Sequence, residues 1–126
     1  MTIQLNHTIV WYRDQAESAG FLVHVLKLPA PRKFLHFLIV YLANGASMDY
    51  YENAEHLARQ HYAFLVSEDE FDPILTRIRK QGCEIWADLA RTKPDEINHH
   101  FGGRGVYFQD PGGHLLEVIT RPYESV

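Results

Sequence analysis

The chain has 126 residues, about one ordinary domain, with 46% hydrophobic and 22% charged residues and a formal net charge of −4. That balance is globular, and its mild acidity argues against a nucleic-acid or anionic-membrane partner. The longest apolar run, residues 37 to 43, falls far short of the roughly 20 residues a membrane-spanning helix needs, and the single cysteine, Cys83, leaves no intrachain disulfide to form. The first residues, MTIQLNH, have neither the basic segment nor the apolar core of a secretion signal, so the cytoplasm is the expected compartment.

Residues 3 to 12 read as a strand. Asp14 then opens a segment with apolar residues at 21, 22, 25, 26 and 28, which is helical spacing, and Pro29 and Pro31 end it. Two strand-like runs follow, 35 to 43 and 46 to 52, separated by the turn dipeptide Asn44-Gly45, with room for one more short strand. The pattern then begins again. A strand covers 60 to 66, and Ser67 with Glu70 forms a capping box that opens a helix with Phe71, Ile74, Leu75 and Ile78 on one face, ended by Gly82. After Cys83 to Trp86 comes a polar loop, and strands at about 104 to 109 and 113 to 120 are joined by Asp110-Pro111-Gly112-Gly113. Gly102-Gly103-x-Gly105 is too irregular for a phosphate loop and reads as a flexible hinge.

The second half therefore repeats the first. Asn6-His7 matches Gln60-His61, and the stretch from Gly45 to Asp49 matches that from Gly113 to Glu117. His7 to Asp49 spans 42 residues and His61 to Glu117 spans 56, so the second copy carries 14 more, mostly around residues 88 to 103, a candidate lid.

Glu117 lies within Leu115-Leu116-Glu117-Val118-Ile119, where neither strand face is an obvious solvent face. A shielded carboxylate must be paired, protonated or metal-bound. Arg104 and Arg121 are candidate ion-pair partners. The repeat offers another solution, because each copy carries a histidine on its first strand and a carboxylate on its last. Two imidazoles and one carboxylate make the facial triad associated with non-haem Fe(II), with Mn(II), Zn(II) and Ni(II) as alternatives. His7, His61 and Glu117 are the expected ligands; Asp49 is the weaker fourth candidate, its side chain being one methylene shorter than that of Glu.

Together, the paired modules, His61-Tyr-Ala-Phe64 and DPGGHLLE at 110 to 117 resemble the vicinal oxygen chelate superfamily of glyoxalases, fosfomycin- and bleomycin-resistance proteins and extradiol dioxygenases. The resemblance implies an α+β fold in which two βαβββ modules, about 3 to 53 and 58 to 121 of a single domain over 1 to 126, form a cupped mixed sheet. It also implies a divalent metal, Fe(II) or Mn(II) foremost, held by His7, His61 and Glu117, with His99 and Tyr107 as catalytic donors to a substrate oxyanion; His100 is the alternative to His99. The segment from Ile97 to Glu117 fits the extradiol dioxygenase signature, while Met48 stands where those enzymes usually carry an acid-base histidine. Asp49 replaces the glyoxalase I glutamate, and Ile9 the threonine of fosfomycin-resistance proteins. The expected function is a metal-dependent enzyme, a dioxygenase or a lyase or isomerase, acting on a small substrate with vicinal oxygens. The competing expectation is a metal-free drug-sequestering protein of the bleomycin-resistance type, its groove lined by Trp11, Tyr50, Tyr51 and Phe101. The family suggests a homodimer.

Overall fold

A computed structural model describes residues 2–53, 55 and 58–123. The chain forms two compact units, Met1–Ala58 and Arg59–Val126. Unit 1 runs β1 (His7–Tyr12), α1 (Gln15–Leu26), β2 (Arg32–Phe34), β3 (Phe37–Tyr41) and β4 (Ser47–Glu52); unit 2 runs β5 (His61–Leu65), α2 (Glu68–Lys80), β6 (Ile85–Trp86), β7 (Gly105–Gln109) and β8 (Leu115–Ile119). Each unit is βαβββ, and the sheet orders β1-β4-β3-β2 and β5-β8-β7-β6 are the same topology. In both, the first strand runs parallel to the last, which requires the helical crossover, and the remaining pairs are antiparallel.

Local chemistry sets the boundaries. Asp14 caps α1 by accepting from the Glu17 amide at 3.0 Å, and Ser67 and Glu70 exchange both bonds of the expected capping box on α2. The strand expected from residue 3 begins at His7, where its pairing with the first residue of β4, Ser47, begins, and among the described residues the earlier ones pair with no strand; Ile3 and Leu5 are exposed. The extra short strand is β2 in unit 1, and β6 is its counterpart.

Strand alternation sorts each sheet into two faces. In unit 1, Val10, Tyr12, Val40, Met48 and Tyr50 are buried, and α1 packs on this sheet with Ala19, Leu22, Val25 and Leu26. Tyr50 therefore belongs to the core and not to a ligand groove. In unit 2, Val106, Phe108, Leu116 and Val118 form the core together with Phe71, Ile74 and Ile78 of α2.

The glycines of the long loop are close-approach positions, contrary to the hinge expectation. A side chain at Gly103 would come within 2.6 Å of Thr120 Oγ1, and one at Gly105 within 2.9 Å of Asn98 Oδ1. The loop is tied by paired backbone bonds between Asn98 and Gly105 and by the buried Asn98 amide, which donates to the Ala87 carbonyl at 2.8 Å.

Candidate metal centre

Residues opposite one another in a sheet project from the same face. In unit 2, His61 lies opposite Leu115, and Ala63 opposite Glu117, which in turn lies opposite Tyr107. His61, Glu117 and Tyr107 therefore share the face turned away from the Val106–Val118 core. Unit 1 has the same register: His7 opposite Ser47, and Ile9 opposite Asp49. The residue-by-residue match of the two halves holds in three dimensions within each sheet.

Glu117 is 1% exposed. His61 Nε2 lies 3.1 Å from Glu117 Oε1, while His61 Nδ1 lies 2.9 Å from the Leu115 carbonyl. A carbonyl oxygen only accepts, so Nδ1 carries the hydrogen and Nε2 presents its lone pair to the carboxylate. Two lone-pair groups facing each other at this distance need a cation between them, either a proton or a metal ion. Two ligand atoms each about 2.1 Å from an ion and roughly at right angles lie about 3.0 Å apart, so the donor pair fits a divalent ion. In unit 1, His7 Nδ1 is bonded to Asn6 Oδ1 at 2.8 Å, which likewise leaves the lone pair on Nε2. Asp49 accepts from Ser47 Oγ at 2.8 Å. Among the described residues, no group of three or more His, Cys, Asp or Glu side chains is arranged to hold a metal ion; the structure assembles the pair His61–Glu117, and His7 stands in unit 1.

The second carboxylate oxygen is held by a residue that sequence reasoning missed. Tyr123, in the tail after β8, donates its phenolic hydrogen to Glu117 Oε2, and the Tyr107 hydroxyl lies 3.0 Å from the Tyr123 hydroxyl. The Tyr107 ring stacks on His61 with centroids 5.8 Å apart, and the Tyr123 ring meets Phe101 of the long loop at 5.5 Å. Burial raises both phenols above the ordinary tyrosine range, and the Glu117 carboxylate raises that of Tyr123 further, so both remain donors at neutral pH. His99 and His100 lie exposed on the loop, which approaches the site through Phe101.

Arg104, a candidate partner for Glu117, is engaged elsewhere: it pairs with Glu68 at 3.1 Å and Asp72 at 2.7 Å and lies over the Phe71 ring. The ion-pair reading through Arg104 is thereby replaced by a network that anchors α2.

His114 is a second residue that sequence reasoning missed. It is 2% exposed, and its Nδ1 accepts from the Gln60 amide at 2.8 Å. That bond ties the residue before His61 to the turn before β8, while Asp110 closes the turn by accepting from the His114 amide at 2.9 Å. Burial raises the Asp110 carboxyl to about 6. The run from Asp110 to Glu117 thus fixes the start of β5 against β8, and with it His61 against Glu117.

Residues 4–118 match the family model of the Glyoxalase/Bleomycin resistance protein/Dioxygenase superfamily. The chain belongs to this superfamily. Among solved structures it is similar to oxidase ChaP-H2, with 52% identity, 99% of this chain and 98% of that chain covered and a TM-score of 0.95. Oxidase ChaP-H1 is 48% identical with the same TM-score, covering 98% of this chain and all of that one. Among characterised relatives, metallothiol transferase FosB of Shouchella clausii is 30% identical, over 92% of this chain and 79% of the relative.

Proposed function

We propose that this member of the superfamily is a divalent-metal-dependent oxidase acting on a small substrate with two adjacent oxygens, with dioxygen as the electron acceptor. The observation that carries the reading is the His61–Glu117 pair, a buried carboxylate and an imidazole lone pair aimed at one point. The likeness to oxidases ChaP-H2 and ChaP-H1, near half identity over nearly the whole chain, favours oxidation over the thiol transfer named in the more distant FosB relative.

His61 and Glu117 are two ligands, and His7, whose Nε2 carries the lone pair as that of His61 does, is the third. Asp49 is outside the set. The ion is Fe(II) or Mn(II), because an oxygen-using reaction calls for a metal that changes oxidation state and the 2-His-1-carboxylate donor set suits it. When bound, it serves as a Lewis acid that stabilises negative charge on the substrate oxygens. Tyr107 is the hydrogen-bond donor to a substrate oxygen and His99 the loop acid-base group; the chain works as a homodimer. Oxygen uptake with a panel of catechols and hydroquinones, using Fe(II)- or Mn(II)-loaded protein, tests the proposal, with His61→Ala as the negative control. Consumption of thiol with fosfomycin and no oxygen uptake with any panel member would overturn the oxidase reading in favour of transfer. Absence of bound metal with intact small-molecule binding would favour a sequestering protein.

A further inference from the structure

We infer that Tyr123 is a positioning residue for the metal centre: its phenol clamps Glu117 Oε2 and leaves Oε1 as the single oxygen offered to the ion. The inference rests on the metal reading above and deepens it. A carboxylate has two equivalent oxygens, and nothing in a strand's geometry decides which one coordinates or whether both do. Here the two oxygens have different partners, Oε1 facing His61 Nε2 at 3.1 Å and Oε2 accepting from Tyr123.

Hydrogen counting gives the clamp a direction. Each phenol has one hydrogen. That of Tyr123 goes to Glu117, so the 3.0 Å contact between the two hydroxyls is a donation from Tyr107 to Tyr123. The chain of bonds runs from Tyr107 through Tyr123 to Glu117, and each donation polarises the next hydroxyl towards the carboxylate. Tyr107 thus reinforces the clamp through Tyr123, in addition to its own interaction with the Glu117 carboxylate, and its proton reaches a substrate oxygen only by turning away from Tyr123. Packing also holds the clamp, with the Phe101 ring against that of Tyr123.

The test uses the chelator-stripped full-length protein titrated with Co(II), read by competition against a chromophoric chelator and by the visible spectrum of the bound ion. Tyr123→Phe keeps the ring against Phe101 and removes only the hydroxyl. It is expected to weaken Co(II) binding by roughly 10- to 100-fold, the usual cost of removing an outer hydrogen bond to a ligand, and to shift the Co(II) absorption bands as Glu117 becomes free to coordinate through both oxygens. Tyr107→Phe, which leaves the clamp in place, is expected to lose under about threefold, and Tyr123→Phe is expected to add nothing in a Glu117→Gln background. An unchanged Co(II) affinity and spectrum in Tyr123→Phe, with the wild type binding normally, overturns the clamp alone. A wild type that binds no Co(II) overturns the metal reading and the clamp with it.

Discussion

Replacing Glu117 with Gln separates the two cations that can lie between His61 Nε2 and Glu117 Oε1. The amide is nearly the same size, and it completes the hydrogen bonds without any cation: its NH2 donates to His61 Nε2 while its oxygen accepts from Tyr123. If the native cation is a metal, the metal-free variant loses a desolvated charge and gains a matched donor, so its stability should stay within about 1 kcal/mol of the metal-free wild type or exceed it. If the native cation is a proton in a structural imidazolium–carboxylate ion pair, Gln breaks that pair, at a cost of roughly 3–5 kcal/mol.

With metal the signs reverse. An ion present at a hundredfold above its dissociation constant stabilises the wild type by about 2.7 kcal/mol; a hundredfold weaker site in the variant gains only about 0.4 kcal/mol at the same concentration. At about 4 °C per kcal/mol for a chain of this size, Mn(II) should raise the wild-type Tm by roughly 10 °C and that of the variant by about 2 °C. Calorimetric unfolding of both proteins, stripped with chelator and then reloaded, makes the comparison. A Glu117→Gln protein that is strongly destabilised without metal, or that gains as much from Mn(II) as the wild type, would refute the assignment.

Removing the α2 cap with Ser67→Ala should lower stability by about 1 kcal/mol, read by denaturant unfolding. The Ser67 backbone amide holds the Glu70 carboxyl below its usual range, so the folded state binds its proton less readily than the unfolded one; that contribution is present above the ordinary glutamate range and is lost as pH falls through the folded value. Asp110 has the opposite sign. Its carboxyl is raised to about 6 from 3.8, so its protonated form favours folding and the contribution fades as pH rises across that window; an Asp110→Asn protein should show a flatter stability curve between those values in calorimetry. Gly103→Ala forces a Cβ to within 2.6 Å of Thr120 Oγ1, which is itself bonded to the Arg104 amide at 2.8 Å, and should cost roughly 1–3 kcal/mol in urea unfolding. His114→Phe strands the Gln60 amide one residue from His61 and should cost about 1–3 kcal/mol while also weakening Mn(II) binding; unchanged affinity would disconnect the turn from the site.

The repeat was legible because it is written in short-range chemistry. Histidines before the helices, carboxylates on the last strands and the turns ahead of them fall at matched distances along the chain, and strand register needs little more than alternation to follow. The surroundings of Glu117 were not legible from alternation, because both faces of residues 115 to 119 are covered and by different means. One is covered by the unit's core, through Leu116 and Val118, and the other by His61, Tyr107 and a tail that folds back to place Tyr123 over the carboxylate. Tyr123 follows Pro122 outside any strand, where periodicity carries no information about which surface a segment returns to. His114 was hidden for a related reason: at the start of the strand expected from 113 nothing local marks it, and its bond to Gln60, 54 positions away, joins two strands whose pairing is set only by the sheet. The two residues meet the site through different partners, Tyr123 through Glu117 and His114 through the residue before His61. On the proposed metal reading, the enclosure built by the tail and the turn couples ion binding to folding, so metal loading and the resistance to unfolding of the metal-loaded protein should rise and fall together across the Tyr123, His114 and Glu117 variants.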